Sequence, residues 1–261
     1  MLCTQAVEAN QIKLAHHSPS KYVSDQVWNE VKEYLLPDDH PVKKKLDLMF
    51  SNDRILSDIQ SLEKAGFDYL PPQHRTQMIV AKHPDLKGIV IKAYLDEQEY
   101  YEGRPEHYYW IRRIKGARLI QRYIDTHHYG NLFKVPGKWI YLLSDKPSPP
   151  RHYLRKKFIL IAEDMELYDD KTNEELWGND EWVTKKRLRA LYAITTDLGL
   201  LDSAKPSNCF FSVDGKAAFV DTELYRKTHI RYDKLTPFLS PSMQDYWRKI
   251  THNRSQLPIM N

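Results

Sequence analysis

The dipeptide Asp214-Gly215 sits between two β-rich runs, residues 209–213 and 216–220. An Asp-Gly step in that setting is a strong local instruction for a tight hairpin, because the turn needs positive φ, which glycine adopts without strain. A hairpin returns its second strand beside its first. Asn208, just before the first run, and Asp221, just after the second, are therefore brought to the same end of the pair. An amide oxygen and a carboxylate held together there form a hard-oxygen pair suited to Mg²⁺ bridging phosphates. Upstream, Leu188, Leu191, Thr195 and Leu198 repeat at helical spacing, and Thr184 is placed to cap that helix. Any fold for this chain must accommodate helix, loop and hairpin in that order.

The remaining elements set the fold class. Residues 21–65 read as helical, with Val27, Val31 and Leu35 at four-residue spacing before Pro37, and Ile55, Ile59 and Leu62 in a second segment ahead of Gly66. From Phe67 the period changes to that of strands, at 78–82 and 88–94, with a Pro-Asp turn between. Pro105 opens a long helix in which Trp110, Ile114, Ala117 and Ile124 line one face. Two further strands are expected within 132–144 and 157–167, separated by a proline-rich loop, and residues 168–182 read as an acidic connection. The tail carries one helix, around 241–252. The order predicts an α+β fold.

Composition narrows the classes further. With 41% hydrophobic residues in 261, the chain buries a real core and is not a disordered segment. Its net charge of +4 permits a phosphate-bearing ligand without requiring nucleic acid. Cys3 and Cys209 fit no disulfide or zinc framework, which points to a reducing compartment. No apolar run approaches the roughly 18 residues of a membrane span, and the first residues lack the form of a signal peptide. The expectation is a cytoplasmic protein, with export that needs no cleaved signal left open. Arg112, Arg113, Lys115, Arg118 and Arg122 cover much of the long helix, and with residues 153–157 and 185–189 they offer a basic surface for nucleic acid or anionic lipid. Most such faces are simply solvated, no stacking motif of an RNA-binding module accompanies this one, and nucleic acid is not the expected partner.

Three short motifs carry a resemblance. Lys205-Pro206-Ser207-Asn208 resembles the Lys-Pro-x-Asn of the protein-kinase catalytic loop, Phe219-Val220-Asp221 resembles the strand that delivers the kinase metal-binding Asp, and Val90-Ile91-Lys92 resembles the Val-Ala-Ile-Lys strand. The resemblance covers roughly residues 67–225. It implies a two-lobed α+β protein-kinase-like fold with an N-terminal helical extension (1–66), an N-lobe (67–165) and a reduced C-lobe (166–261), similar to minimal kinase-like domains among bacterial effectors. The implied activity is Mg²⁺-dependent transfer of the ATP γ-phosphate to a protein hydroxyl. Lys92 would hold phosphates with Glu106 as its ion partner, and Glu163 to Met165 would meet the adenine through their backbones. Asn208 and Asp221 would hold Mg²⁺, Lys205 would neutralise the transferring group and Asp202 would act as base. The sequence departs from the family in two places. No glycine-rich loop precedes residue 78, where Gln73, His74 and Arg75 would have to cover phosphates with side chains. Direct alignment also puts Ser203 at the base position, with Asp202 one residue earlier. A pseudokinase scaffold that binds a protein partner is the alternative those departures raise.

Overall fold

The computed structural model describes residues 22–70 and 77–252. Three short helices come first: α1 (Asp25–Val31), α2 (Lys43–Asn52) and α3 (Ile59–Lys64). Ser24 and Asp58 cap α1 and α3 by accepting from the N–H groups of Val27 and Ser61, and Gly66, at φ +84°, turns the chain out of α3. The strands β1 (Asp68–Leu70), β2 (Ile79–Lys82) and β3 (Ile89–Ala93) follow, then the 21-residue helix α4 (Glu106–Thr126). After a two-residue strand, β4 (Phe133–Lys134), come β5 (Lys138–Leu142) and β6 (Phe158–Glu163). The first sheet is antiparallel throughout, in the order β1-β2-β3-β6-β5.

Both faces of this sheet are covered, and by different parts of the chain. Alternation sends Ile89, Ile91 and Ala93 of β3 to one face, where they join Ile79, Ala81, Ile159 and Ile161 against Leu46, Phe50 and Leu62 of α2 and α3. The opposite face carries Ile140, Phe158 and Leu160, which pack on Trp110 and Ile114 of α4 and on Trp28 and Val31 of α1. Residues 22–66 are thus part of the same cores as the strands. A buried ion pair fixes them there: Arg54 makes two hydrogen bonds to the fully buried Asp96 carboxylate, at 2.7 and 2.9 Å.

The second half begins with α5 (Asp170–Trp177) and α6 (Lys185–Asp197), continues through the hairpin β7 (Cys209–Phe211) and β8 (Ala217–Phe219), and ends with α7 (Pro241–His252). Its sheet is mixed, in the order β4-β8-β7, with β4 parallel to β8. Ile194, Leu191, Trp177, Phe211, Phe219 and Trp247 form its core. The expected capping of α6 is present, since Thr184 Oγ1 accepts from the Arg187 N–H at 3.2 Å.

Three elements differ from expectation. The segment 21–65, expected to hold two helices on either side of Pro37, holds a further one, α2, at Lys43–Asn52, and Leu35 lies past α1 in a bridge to Ile140 of β5. The run 132–144 is not one strand: Val135-Pro136-Gly137 divides it, so that β4 serves the second sheet and β5 the first. The acidic connection contains α5, whose Asn173 and Trp177 are buried. Gln73, His74 and Arg75 lie outside the described residues.

Candidate functional site

The two sheets meet where β3 and β5 overhang the chain leaving β8. Lys92 pairs with Leu160 of β6, Ile140 pairs with the same Leu160, and Lys138 stands two residues before Ile140. With a period of two, Lys92 and Lys138 emerge on the α4 face of the sheet. Their ammonium groups converge on one atom, the Val220 carbonyl oxygen, Lys138 at 3.1 Å and Lys92 at 3.5 Å. Lys138 also donates to Thr222 Oγ1 at 2.8 Å. The backbone on either side of Asp221 is therefore held from above by two lysines of the first sheet.

Helix α4 holds the same segment from the side. Arg113 Nη1 donates to Asp221 Oδ1 at 2.7 Å, and its Nη2 lies 2.9 Å from Glu223 Oε2. Thr222 lies between these two carboxylates in sequence, and its hydroxyl donates to the Arg113 carbonyl at 2.6 Å. So close a crossing explains the glycine in mid-helix. A Cβ at Gly116 would stand 1.7 Å from the Thr222 carbonyl oxygen, far inside van der Waals contact.

The loop between α6 and β7 supplies the third wall. Lys205 Nζ is 3.1 Å from Asp202 Oδ2, and the Asn208 amide donates to the Asp202 carbonyl at 3.1 Å. Asp202, Lys205 and Asn208 are thereby drawn into one closed turn. Asn173 of α5 splints it by donating to the Pro206 carbonyl at 3.0 Å and accepting from the Phe211 N–H at 2.8 Å. The Leu201 N–H donates to the Leu224 carbonyl at 3.0 Å, which ties the loop to the stretch that follows Asp221.

Charge dominates this region. Burial pushes the Asp221 carboxyl up, but Arg113, Lys92, Lys138 and Lys205 outweigh it and hold the group below the ordinary carboxylate range. Glu223 goes the other way: burial raises it, and the neighbouring Asp221 charge adds to the rise. Burial, reinforced by the Arg113 charge, lowers the Lys92 ammonium to about 8. Lys138, only 4% exposed, is pushed well below the usual lysine range by burial and then by Lys92 and Arg113. Four cations thus surround one carboxylate, and an anion entering here would relieve their mutual repulsion.

Of the residues expected from sequence, Lys92, Asp202, Lys205, Asn208 and Asp221 are brought around this one cleft. Glu106 is not. Its Oε1 accepts from the N–H groups of Lys157 and Phe158 at 2.6 and 3.1 Å, so it caps the start of β6 instead of pairing with Lys92. The reason is helical rise, since two turns, about 10 Å, separate Glu106 from the level of Arg113. Glu163 also has other work: its N–H donates to the Gly137 carbonyl at 3.0 Å, and the next N–H, that of Asp164, donates to the Gly88 carbonyl at 2.9 Å. Sheet bonding takes up donors expected to meet a base. No hydrogen bond to the Met165 N–H is found among the described residues. Cys209 is a core thiol that burial pushes up to about 12, which removes it from nucleophilic chemistry.

Sequence reasoning missed Lys138, and it placed Arg113 on a solvated basic face. Arg113 is 2% exposed. Its neighbours on that face are also largely occupied: Arg112 donates to the Glu223 carbonyl at 3.2 Å, and Lys115 and Arg118 lie over the Tyr34 ring at 5.7 and 5.1 Å. The signal for Arg113 was Gly116, an isolated helical glycine one turn on, which marks a close backbone crossing.

The Mg²⁺ implied by the kinase resemblance is a poor match to these donors. Asp221 Oδ1 is taken by Arg113, Glu223 shares that arginine, and the surrounding charge is cationic; the Asn208 amide nitrogen donates to Asp202, which leaves its oxygen as the one neutral donor. Among the described residues no group of three or more His, Cys, Asp or Glu side chains is disposed to hold a metal ion. A groove of about 500 Å³ lined by Asp47, Tyr141 and Asp145 contains none of the cleft residues. No helix among the described residues is long and apolar enough to cross a membrane. No protein-family model matches the chain, and no curated protein is significantly similar to it, so the reading of this cleft rests on its own geometry.

Proposed function

We propose that the protein is a kinase-like phosphotransferase that binds ATP by its phosphates in this cleft and transfers the γ-phosphoryl group to a protein hydroxyl. The observation that carries this reading is the closed turn of Asp202, Lys205 and Asn208 beside the Lys92–Asp221 cluster. Its longer spacing is what brings Asp202, not Ser203, onto the loop lysine. Lys92 and Lys138 hold phosphate oxygens, and Lys205 offsets charge on the transferring group. Asp202 accepts the proton of the attacking hydroxyl as its oxygen bonds to the γ-phosphorus, and the bond to the β–γ bridging oxygen breaks to release ADP.

The test is release of labelled γ-phosphate from ATP, to water or to protein, by the parent and by Asp202→Asn. The variant is expected to bind ATP as the parent does and to transfer about 10²–10⁴-fold more slowly, the usual contribution of a positioned base. Equal rates would remove Asp202 from the reaction. One observation favours a scaffold that transfers nothing: Arg113 occupies the Asp221 carboxylate. Unaltered ATP after prolonged incubation with a protein that binds it would select that second reading.

A further inference from the structure

The cleft holds more positive charge than its own carboxylates use. Asp202 is paired with Lys205, while Asp221 and Glu223 share Arg113. Lys92 is left with a single long contact, 3.5 Å to a carbonyl oxygen. The Arg113 Nε–H, buried on a residue 2% exposed, has no hydrogen-bond acceptor. A buried donor without a partner costs stability unless a ligand supplies the acceptor. Here the orphaned donor belongs to a guanidinium beside a weakly bonded ammonium, and phosphate oxygens are well-matched acceptors for both.

The charge count points the same way. Lys92, Arg113, Lys138 and Lys205 all act on Asp221, against the carboxylates of Asp202, Asp221 and Glu223. A divalent ion that bridges a polyphosphate takes one or two carboxylates alongside the phosphates, and here Arg113 already holds both Asp221 and Glu223. Arg113 stands where α4 faces the lysine cluster, and Lys138 adds a second cation from β5.

Resting on the nucleotide reading above, we propose that this cleft binds the ATP polyphosphate directly, without a divalent metal ion. Arg113, and Lys138 as the entering phosphate favours its charged form, supply the two positive charges that such an ion would bring. The entering phosphates compete with Asp221 and Glu223 for the Arg113 guanidinium and fill the coordination that Lys92 lacks.

Thermal unfolding of the full chain with ATP in excess EDTA, beside ATP with Mg²⁺, is the direct measurement. A ligand present at about 100 times its Kd raises the Tm of a domain this size by roughly 5–10 °C. The rise is expected in EDTA and is not increased by Mg²⁺. Lys138→Gln, and Arg113→Met combined with Asp221→Asn and Glu223→Gln so that no carboxylate is orphaned, are each expected to weaken ATP binding in EDTA at least tenfold. A rise that requires Mg²⁺ would overturn the metal-free mode and leave the nucleotide reading standing. A metal-free rise unchanged in both variants would overturn the assignment of Arg113 and Lys138. No rise under either condition would sink both readings together.

Discussion

Helix α4 lies along one face of the five-stranded sheet, and within the same two turns it buries two neighbouring stripes in opposite ways. On one stripe Trp110 and Ile114 are buried against Ile140, Phe158 and Leu160, and the Trp110 indole N–H donates to the Phe158 carbonyl at 3.2 Å. There the polar group is satisfied and the rest is hydrocarbon. On an adjacent stripe of the same turns, the helix and the same strands bury Arg113, Lys92 and Lys138 against a handful of oxygens. The first region is arranged for stability, with apolar area removed from water and the Trp110 donor satisfied. The second desolvates charge without fully repaying it, which a fold tolerates where a ligand completes the set. The difference separates, on one continuous interface, apolar packing from buried charge.

That contrast can be broken by mutation. Trp110→Ala should have the largest effect, a loss of about 3–5 kcal/mol in chemical denaturation, as expected for deleting a fully buried indole. Gly116→Ala should follow at about 3 kcal/mol, because its methyl must displace the Thr222 backbone. It should also impair ATP binding by shifting Asp221, which Trp110→Ala should not do in its folded fraction. Lys138→Met should stay within about 1 kcal/mol of the parent, since relief from burying an ammonium offsets the two lost hydrogen bonds. A loss as large as that of Trp110→Ala would mean that Lys138 is a structural tether and would erase the contrast.

The smallest effect is one of pH. Lys92 titrates near 8 in the folded protein and near its ordinary value of 10.5 when unfolded. Between those values the unfolded chain holds more protons, so this group makes stability rise with pH from about 8 to 10.5, and below that window its full penalty applies. The stability of the parent relative to Lys92→Met should therefore climb across that window in denaturation curves. A flat difference would place the Lys92 ammonium in water.

Local chemistry made part of this legible in advance. Asp214-Gly215 specified the hairpin, Thr184 the start of α6, and the alternation in residues 88–94 the strand that carries Lys92. The α+β class followed from that order. The part that stayed hidden depends on contacts between distant segments. Arg113 reads as one more cation on a basic helix until Thr222 crosses over Gly116 and buries it. Lys138 follows Pro136-Gly137 at a strand entry, where nothing local distinguishes a buried amine from an exposed one. Glu106 invited a catalytic role by its charge, whereas backbone N–H groups of β6 claimed it. The helix α5 was obscured by its acidic surface, although Asp169 caps it and Trp177 anchors it.

The crossing of Thr222 over α4 has a mechanical consequence. With no side chain at Gly116 to act as a cushion, and with the Thr222 hydroxyl clamped between the Arg113 carbonyl and the Lys138 ammonium, helix and acidic segment have no slack between them. They behave as a shaft and a key. A rotation of α4 about its axis sweeps Asp221 and Glu223 by the same motion, so the angle of the helix and the shape of the cleft are a single coordinate.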